Sequence, residues 1–172
     1  MGITPDTKDW TWVLNEPCDE CGFVAQDLTP QSLAATVRDM IPRWEAVLQR
    51  PTVAVRPNES TWSPLEYAAH VRDVFELFEQ RLSLMLNDDD AHFANWDQDA
   101  TAIEKDYAHE DPARVANQLR ATGSSAADAF EAVRPDQFER TGLRSNGSAF
   151  TVVTLARYFG HDVVHHLKDV DG

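Results

Sequence analysis

Two cysteines in 172 residues, Cys18 and Cys21, are too few for a disulfide framework and only half of a four-thiolate zinc ribbon. Positive charge is also scarce. Lys and Arg number 15 against 29 Asp and Glu, for a formal charge of −14, which leaves little to displace counterions from a phosphate backbone or to hold an anionic lipid. Nucleic acid and membrane are therefore not expected partners. No apolar run reaches the ~18 residues of a spanning helix, and the N-terminus lacks a basic-then-apolar leader pattern, so a cytoplasmic location is expected. Internal repeats, low-complexity tracts and strand-like alternation of useful length are missing as well.

Helical periodicity with clear punctuation is what the chain does contain. Thr29-Pro30 reads as an N-cap followed by proline at the first helical position, ahead of Leu33, Val37, Met40, Ile41, Trp44 and Leu48. Pro42 is expected to kink or divide that helix. Ser63-Pro64 with Glu66 forms a capping box for a second helix reaching about Met85, striped by Tyr67, Val71, Val74, Phe78 and Leu82. Asp111-Pro112 opens a third, which carries Val115, Leu119, Thr122, Ala126, Phe130 and Val133 up to Pro135 and is weakened by Gly123. A fourth starts near Phe150-Thr151 and continues through Val170. With 42% hydrophobic residues, one domain over residues 1–172 is expected: an all-α, four-helix bundle with long connections. Residues 1–28 form an N-terminal extension packed on the bundle, without a periodicity that specifies its structure. The connections Arg50–Thr61 and Asn87–Glu110 are candidates for a pocket rim, and Tyr107, Trp96, Asn95 and Arg144 are candidate rim groups.

The histidines of the last helix can be sorted on a wheel of about 100° per residue. Val152, Ala156, Phe159, Val163, Leu167 and Val170 form its core stripe, with Leu155 at the edge. Asp162 and His166 fall on the Leu155 side. His161 lies nearly opposite the stripe, among Thr154, Arg157 and Lys168, and His165 is closer to the polar side. Both pairs are spaced i,i+4, and the wheel favours Asp162/His166 as the inward one. An inward Asp needs a cation, a donor or water. His70, at the margin of the second helix's stripe, faces the same interior, so His70, Asp162 and His166 together suit a divalent metal. Asp73 and Asp169 are spaced to accept the second imidazole protons. The plainer alternative makes His70 and His166 core-edge histidines, with Asp162 paired to one of them or to Arg72. His92 and His109 read as surface residues. Cys18-x-x-Cys21 is compatible with a redox pair or half of a second metal site. The lack of a strand-then-helix context favours a reduced pair beside the Gly22 turn.

These residues resemble the DinB/YfiT-like superfamily, which includes the metal-binding domain of mycothiol-dependent maleylpyruvate isomerase and bacterial thiol S-transferases. Trp62-Ser63-x-x-Glu66-x-x-x-His70-x-x-Asp73 is similar to the family's tryptophan-serine start, acidic residue and first histidine ligand. Asp162-x-x-x-His166-x-x-Asp169 is similar to the carboxylate form found in the isomerase branch, where many other members carry two histidines four apart. His161 and His165 satisfy that His-x-x-x-His rule in an overlapping register. The resemblance implies a divalent metal, zinc or nickel above all, at one end of the bundle, frequently in a homodimer. In enzymatic members the metal is thought to activate the thiol of mycothiol, bacillithiol or glutathione. The expected function is thus a metal-dependent thiol S-transferase or isomerase acting on a small electrophile. A metal-dependent hydrolase and a non-catalytic metal- or small-ligand-binding stress-response protein are the alternatives.

Overall fold

Side-chain caps set where the long helices begin. The computed structural model describes Ile3 and residues 8–172. In chain order its elements are α1 (Pro30–Leu48), α2 (Pro64–Asn87), β1 (Ala91–Phe93), α3 (Gln98–Glu104), α4 (Pro112–Glu131), β2 (Thr141–Arg144), β3 (Ala149–Thr151) and α5 (Val152–Asp169). Thr29, Ser63, Asp111 and Thr151 each accept a hydrogen bond from the backbone amide three residues on, at 3.2, 3.3, 2.7 and 3.1 Å. Each bond satisfies an amide that the first helical turn leaves without a partner. Pro42 does not divide α1, which runs through it. Pro42 and Arg38, whose carbonyl loses its usual donor, both face solvent, where water can replace that donor.

Helices α1, α2, α4 and α5 form the bundle. The predicted stripe of α5, Val152 through Val170, is buried throughout, and Phe159 is its centre. The Phe159 ring stacks on Phe78 of α2 at 4.8 Å, meets Phe130 of α4 at 5.4 Å and meets Phe75 edge-on at 5.9 Å. Trp44 of α1 is wholly buried in the same core. No helix among the described residues is long and apolar enough to cross a membrane.

The helical bundle is as expected, and a small sheet accompanies it. Its order is β1-β2-β3, with β1 parallel to β2 (Ala91 opposite Gly142, Phe93 opposite Arg144) and β2 antiparallel to β3. Strands of three or four residues are too short to show an alternation in sequence. Their effect is local: Ser145 donates its amide to the Phe93 carbonyl at 2.9 Å and accepts from the Asn95 amide at 2.8 Å. The long connection after α2 is thereby fastened to the hairpin that leads into α5.

Among its described residues the N-terminal segment has one short 3-10 turn, Trp10–Leu14, and is otherwise irregular. Val13, Cys18 and Ala25 are buried, and Arg157 of α5 donates to the carbonyls of Gln26 and Leu28. Residues 1, 2 and 4–7 of the expected 1–28 extension lie outside the described residues.

Gly123 is a packing requirement of α4. A Cβ there would lie 2.9 Å from Phe75 Cε2 and 3.2 Å from Ile41 Cδ1, both on buried side chains. Alanine would gain about 1 kcal/mol of helix propensity, whereas overpacking a filled core costs about 1–3 kcal/mol. Gly123→Ala is expected to lower stability by about 1 kcal/mol, seen as a reduced urea midpoint at unchanged slope. A raised midpoint would show that the core yields at this point.

Candidate metal centre

Glu66, the acidic residue of the α2 capping box, is occupied by the helix start. Its carboxylate accepts from the Ser63 amide at 2.8 Å and from Arg56 Nε at 2.9 Å. One turn further along α2, His70 turns towards α5 and meets Asp162 and His166, which lie one turn apart on that helix. Asp162 Oδ1 lies 3.7 Å from His70 Nε2 and 3.7 Å from His166 Nε2. The two imidazoles meet edge-on with ring centres 4.7 Å apart, and one ligand-capable atom of each residue lies within 4.8 Å of the others. Such separations exceed a hydrogen bond. They approach the ~3.3 Å between neighbouring ligands of a tetrahedral zinc with bonds of about 2.0–2.1 Å.

Satisfaction of the polar atoms points the same way. His70 is 0% exposed, yet neither of its ring nitrogens has a hydrogen-bond partner, and the buried Asp162 Oδ1 has none either. Each unsatisfied atom costs about 1–3 kcal/mol, and a cation between these residues would partner the atoms that face it. Burial lowers the His70 pKa by more than the neighbouring Asp162 raises it, so the imidazole is neutral. Burial alone would raise the Asp162 carboxyl, but His70, His166 and His161 outweigh it and hold the group ionised, below its ordinary value. A neutral imidazole and an ionised carboxylate are the metal-binding forms. The residues present therefore fit a divalent ion.

The surroundings hold the cluster in place. Trp96, from the connection between β1 and α3, stacks on His70 at 5.2 Å and 12°, and Trp62 packs against the same ring at 5.3 Å. Tyr67 lies on His166 at 5.3 Å, and His166 Nδ1 is 3.0 Å from Asp169 Oδ2, as the spacing predicts. A cavity of about 760 Å³ opens over Asp162 and His166, and Trp62, Trp96, Asn95, Arg144 and Tyr158 help to line it. The Arg144 guanidinium is fixed by Asn146 Oδ1 at 2.9 Å and Ser148 Oγ at 3.0 Å and packs over the Phe150 and Tyr158 rings.

Several expectations need correction. Asp73 does not orient His70. It accepts instead from Arg72 Nε at 2.9 Å, from Lys105 Nζ at 3.0 Å and from the Tyr107 hydroxyl. Arg72 spans Asp73 and Glu110 and makes no pair with Asp162. Tyr107 is 0% exposed and lies behind the site, not on its rim; burial and the Asp73 carboxylate both push its hydroxyl pKa up. His92 and His109 are exposed and sit beside Asp90 and Asp106. His161 and His165 occupy a neighbouring face of α5 outside the His70 group, but both are buried, against the wheel's placement. The N-terminal segment covers that face: Trp10 packs on both rings at 5.3 and 5.0 Å and Phe23 on His161 at 5.8 Å. The wheel could not register a covering segment that has no periodicity. Tyr158 also escaped the sequence reading, because only the fold turns it towards the cavity.

Fold and site together define a helical bundle that carries two histidines and a carboxylate between facing helices. The chain belongs to the DinB superfamily, whose family model matches residues 51–170. That span includes His70, Asp162 and His166 and excludes Cys18 and Cys21. The structure is similar to YfiT from Bacillus subtilis, with a TM-score of 0.72 over 85% of this chain and 89% of that one at 13% identity. YfiT is described as a probable metal-dependent hydrolase with an unusual four-helix bundle topology. At this identity the likeness speaks for the fold. A search of curated proteins returned no match.

The Asp73 group carries a pH dependence of defined sign. Burial acts to raise the carboxyl, and the bonds from Arg72, Tyr107 and Lys105 outweigh it, so the folded-state value is depressed. A depressed carboxyl contributes stability that is fully present above the unfolded value, about 3.9, and is lost as pH falls through the folded value. Asp73→Asn is expected to cost about 2 kcal/mol at pH 7, a gap that narrows below pH ~4 in urea titrations. A gap of constant size would show that the charge of Asp73 does not carry the effect.

Proposed function

We propose that this chain is a divalent-metal-dependent enzyme that uses His70, Asp162 and His166 as ligands and activates a small thiol for transfer or addition to an electrophile. The observation that carries this reading is the convergence of unsatisfied, ligand-capable atoms at the base of an accessible cavity. His70, Asp162 and His166 would hold a zinc or nickel ion, which would supply Lewis acidity to lower the pKa of a thiol or water. The chain's own groups do the rest. Trp62 and Trp96 hold the His70 ring between them and keep water from it, and Asp169 fixes the tautomer and direction of His166. Arg144, with its fork held in place, suits a carboxylate of the thiol or of the electrophile. A cavity of about 760 Å³ is within the ordinary range for small-molecule sites.

Hydrolysis by an activated water is the second reading, favoured by the description of YfiT as a probable metal-dependent hydrolase. Product analysis with and without added low-molecular-weight thiol separates the two. Thiol-dependent turnover supports transfer, and turnover indifferent to thiol supports hydrolysis. His70→Ala and Asp162→Ala are each expected to lose one equivalent of metal by elemental mass spectrometry, together with all turnover. Asp169→Ala should weaken binding by about 10–100-fold, as removal of an outer-shell partner does. Unchanged metal content in His70→Ala would exclude both enzymatic readings.

A further inference from the structure

The four residues left over by the first site form a group of their own. Cys18, Cys21, His161 and His165 each offer a ligand atom, and all four atoms lie within 4.8 Å of one another. Cys18 Sγ lies 3.8 Å from His165 Nδ1. Around a tetrahedral zinc with Zn–S of about 2.3 Å and Zn–N of about 2.0–2.1 Å, neighbouring sulfur and nitrogen atoms sit about 3.5 Å apart. His161 is 4% exposed, and its buried Nε2 has no hydrogen-bond partner. Both cysteines are free thiols.

The backbone on each side is arranged for this convergence. Between the cysteines the chain folds into a tight knuckle. The Gly22 amide donates to the Cys18 carbonyl at 2.7 Å and the Cys18 amide to the Phe23 carbonyl at 2.9 Å. Gly22 adopts φ +75° with open space around it, so glycine is needed there for its conformation and not for room. On α5, Arg157, His161 and His165 make one i, i+4, i+8 stripe, and all three face the N-terminal segment. Gly160 lets that segment come close, since a Cβ there would lie 2.9 Å from Leu28 Cδ2. His165 Nε2 lies 3.6 Å from Glu20 Oε2 and 3.8 Å from Asp169 Oδ1, so these carboxylates face the ring nitrogen other than the Nδ1 that faces Cys18.

We propose that Cys18, Cys21, His161 and His165 bind a structural zinc ion that fastens the N-terminal segment to α5. Two thiolates and two imidazoles select zinc among the common divalent ions, and four protein ligands leave no open position, so the ion is structural and not catalytic. The two thiols release their protons to solvent on binding. The segment needs such a fastening because it has little regular structure of its own and buries few apolar side chains, with Trp12 and Val24 left exposed. The proposal is independent of the reading given to the His70 group. Cys18 and Cys21 lie outside the span matched by the superfamily model, and His161 and His165 lie within it.

Elemental analysis of the full chain, purified under reducing conditions and reconstituted with zinc, tests it. About two zinc ions per chain are expected for the wild type, about one for Cys18→Ser/Cys21→Ser, about one for Asp162→Ala, and none for the combined variant. Replacement of zinc by cobalt in the wild type gives a check that needs no variant. Thiolate ligation produces a sulfur-to-cobalt charge-transfer absorption, which should persist in Asp162→Ala and vanish in Cys18→Ser/Cys21→Ser. Absence of that absorption from reduced wild-type protein, or an unchanged zinc content in the double cysteine variant, overturns the proposal. A wild type with one zinc that is lost on Asp162→Ala overturns it while leaving the first site intact. One zinc lost only on cysteine substitution supports it and removes the metal from the proposed enzyme site.

Discussion

A histidine sealed from water on every side, with both ring nitrogens unpartnered, is the constraint around which this bundle is organised. Such a residue is tolerated only if something else fills the gap, since each orphaned atom costs about 1–3 kcal/mol and folded domains retain only about 5–15 kcal/mol in total. His70 is held in that position by the capped start of α2, by two indoles and by the approach of α5. The aromatic core centred on Phe159 sets how closely α2 and α5 approach, and hence the space between His70 and Asp162. The packing and the polar cluster are thus two consequences of one helix contact.

The connections finish what the helices begin. Three short strands tie the segment after α2 to the hairpin before α5, and through that tie Trp96 and Arg144 arrive at the same end of the bundle from distant parts of the chain. The Arg72–Asp73–Tyr107–Lys105 network does similar work one turn below the cluster. It joins α2 to the region before α4 and leaves the cavity to other groups.

Much of this was legible in sequence because the physics is local. A cap side chain followed by proline marks a helix start whatever the tertiary context, so Thr29, Ser63 and Asp111 were readable from type and spacing. The α5 stripe was equally readable, and with it the inward direction of Asp162 and His166. What escaped depends on contacts between distant segments. His161 and His165 fall on the polar arc of the wheel because the residues that bury them belong to a segment without periodicity. The signal available was complementarity of parts: a Cys-x-x-Cys-Gly knuckle lacking two ligands and a His-x-x-x-His pair lacking two others. Asp73 was misassigned for a related reason, since its spacing from His70 is right and only the fold reveals three better donors.

Helix α5 presents residues 161 and 165 to one side and residues 162 and 166 to another, about 100° away around its axis. Side-chain packing alone resists sliding of a helix more firmly than a few degrees of roll. Gripping one rod at two azimuths removes that roll, because any turn that improves the fit at one side spoils it at the other. The single-residue offset thus acts as a rotational lock, and the N-terminal segment, remote in sequence, takes part in aiming Asp162 and His166.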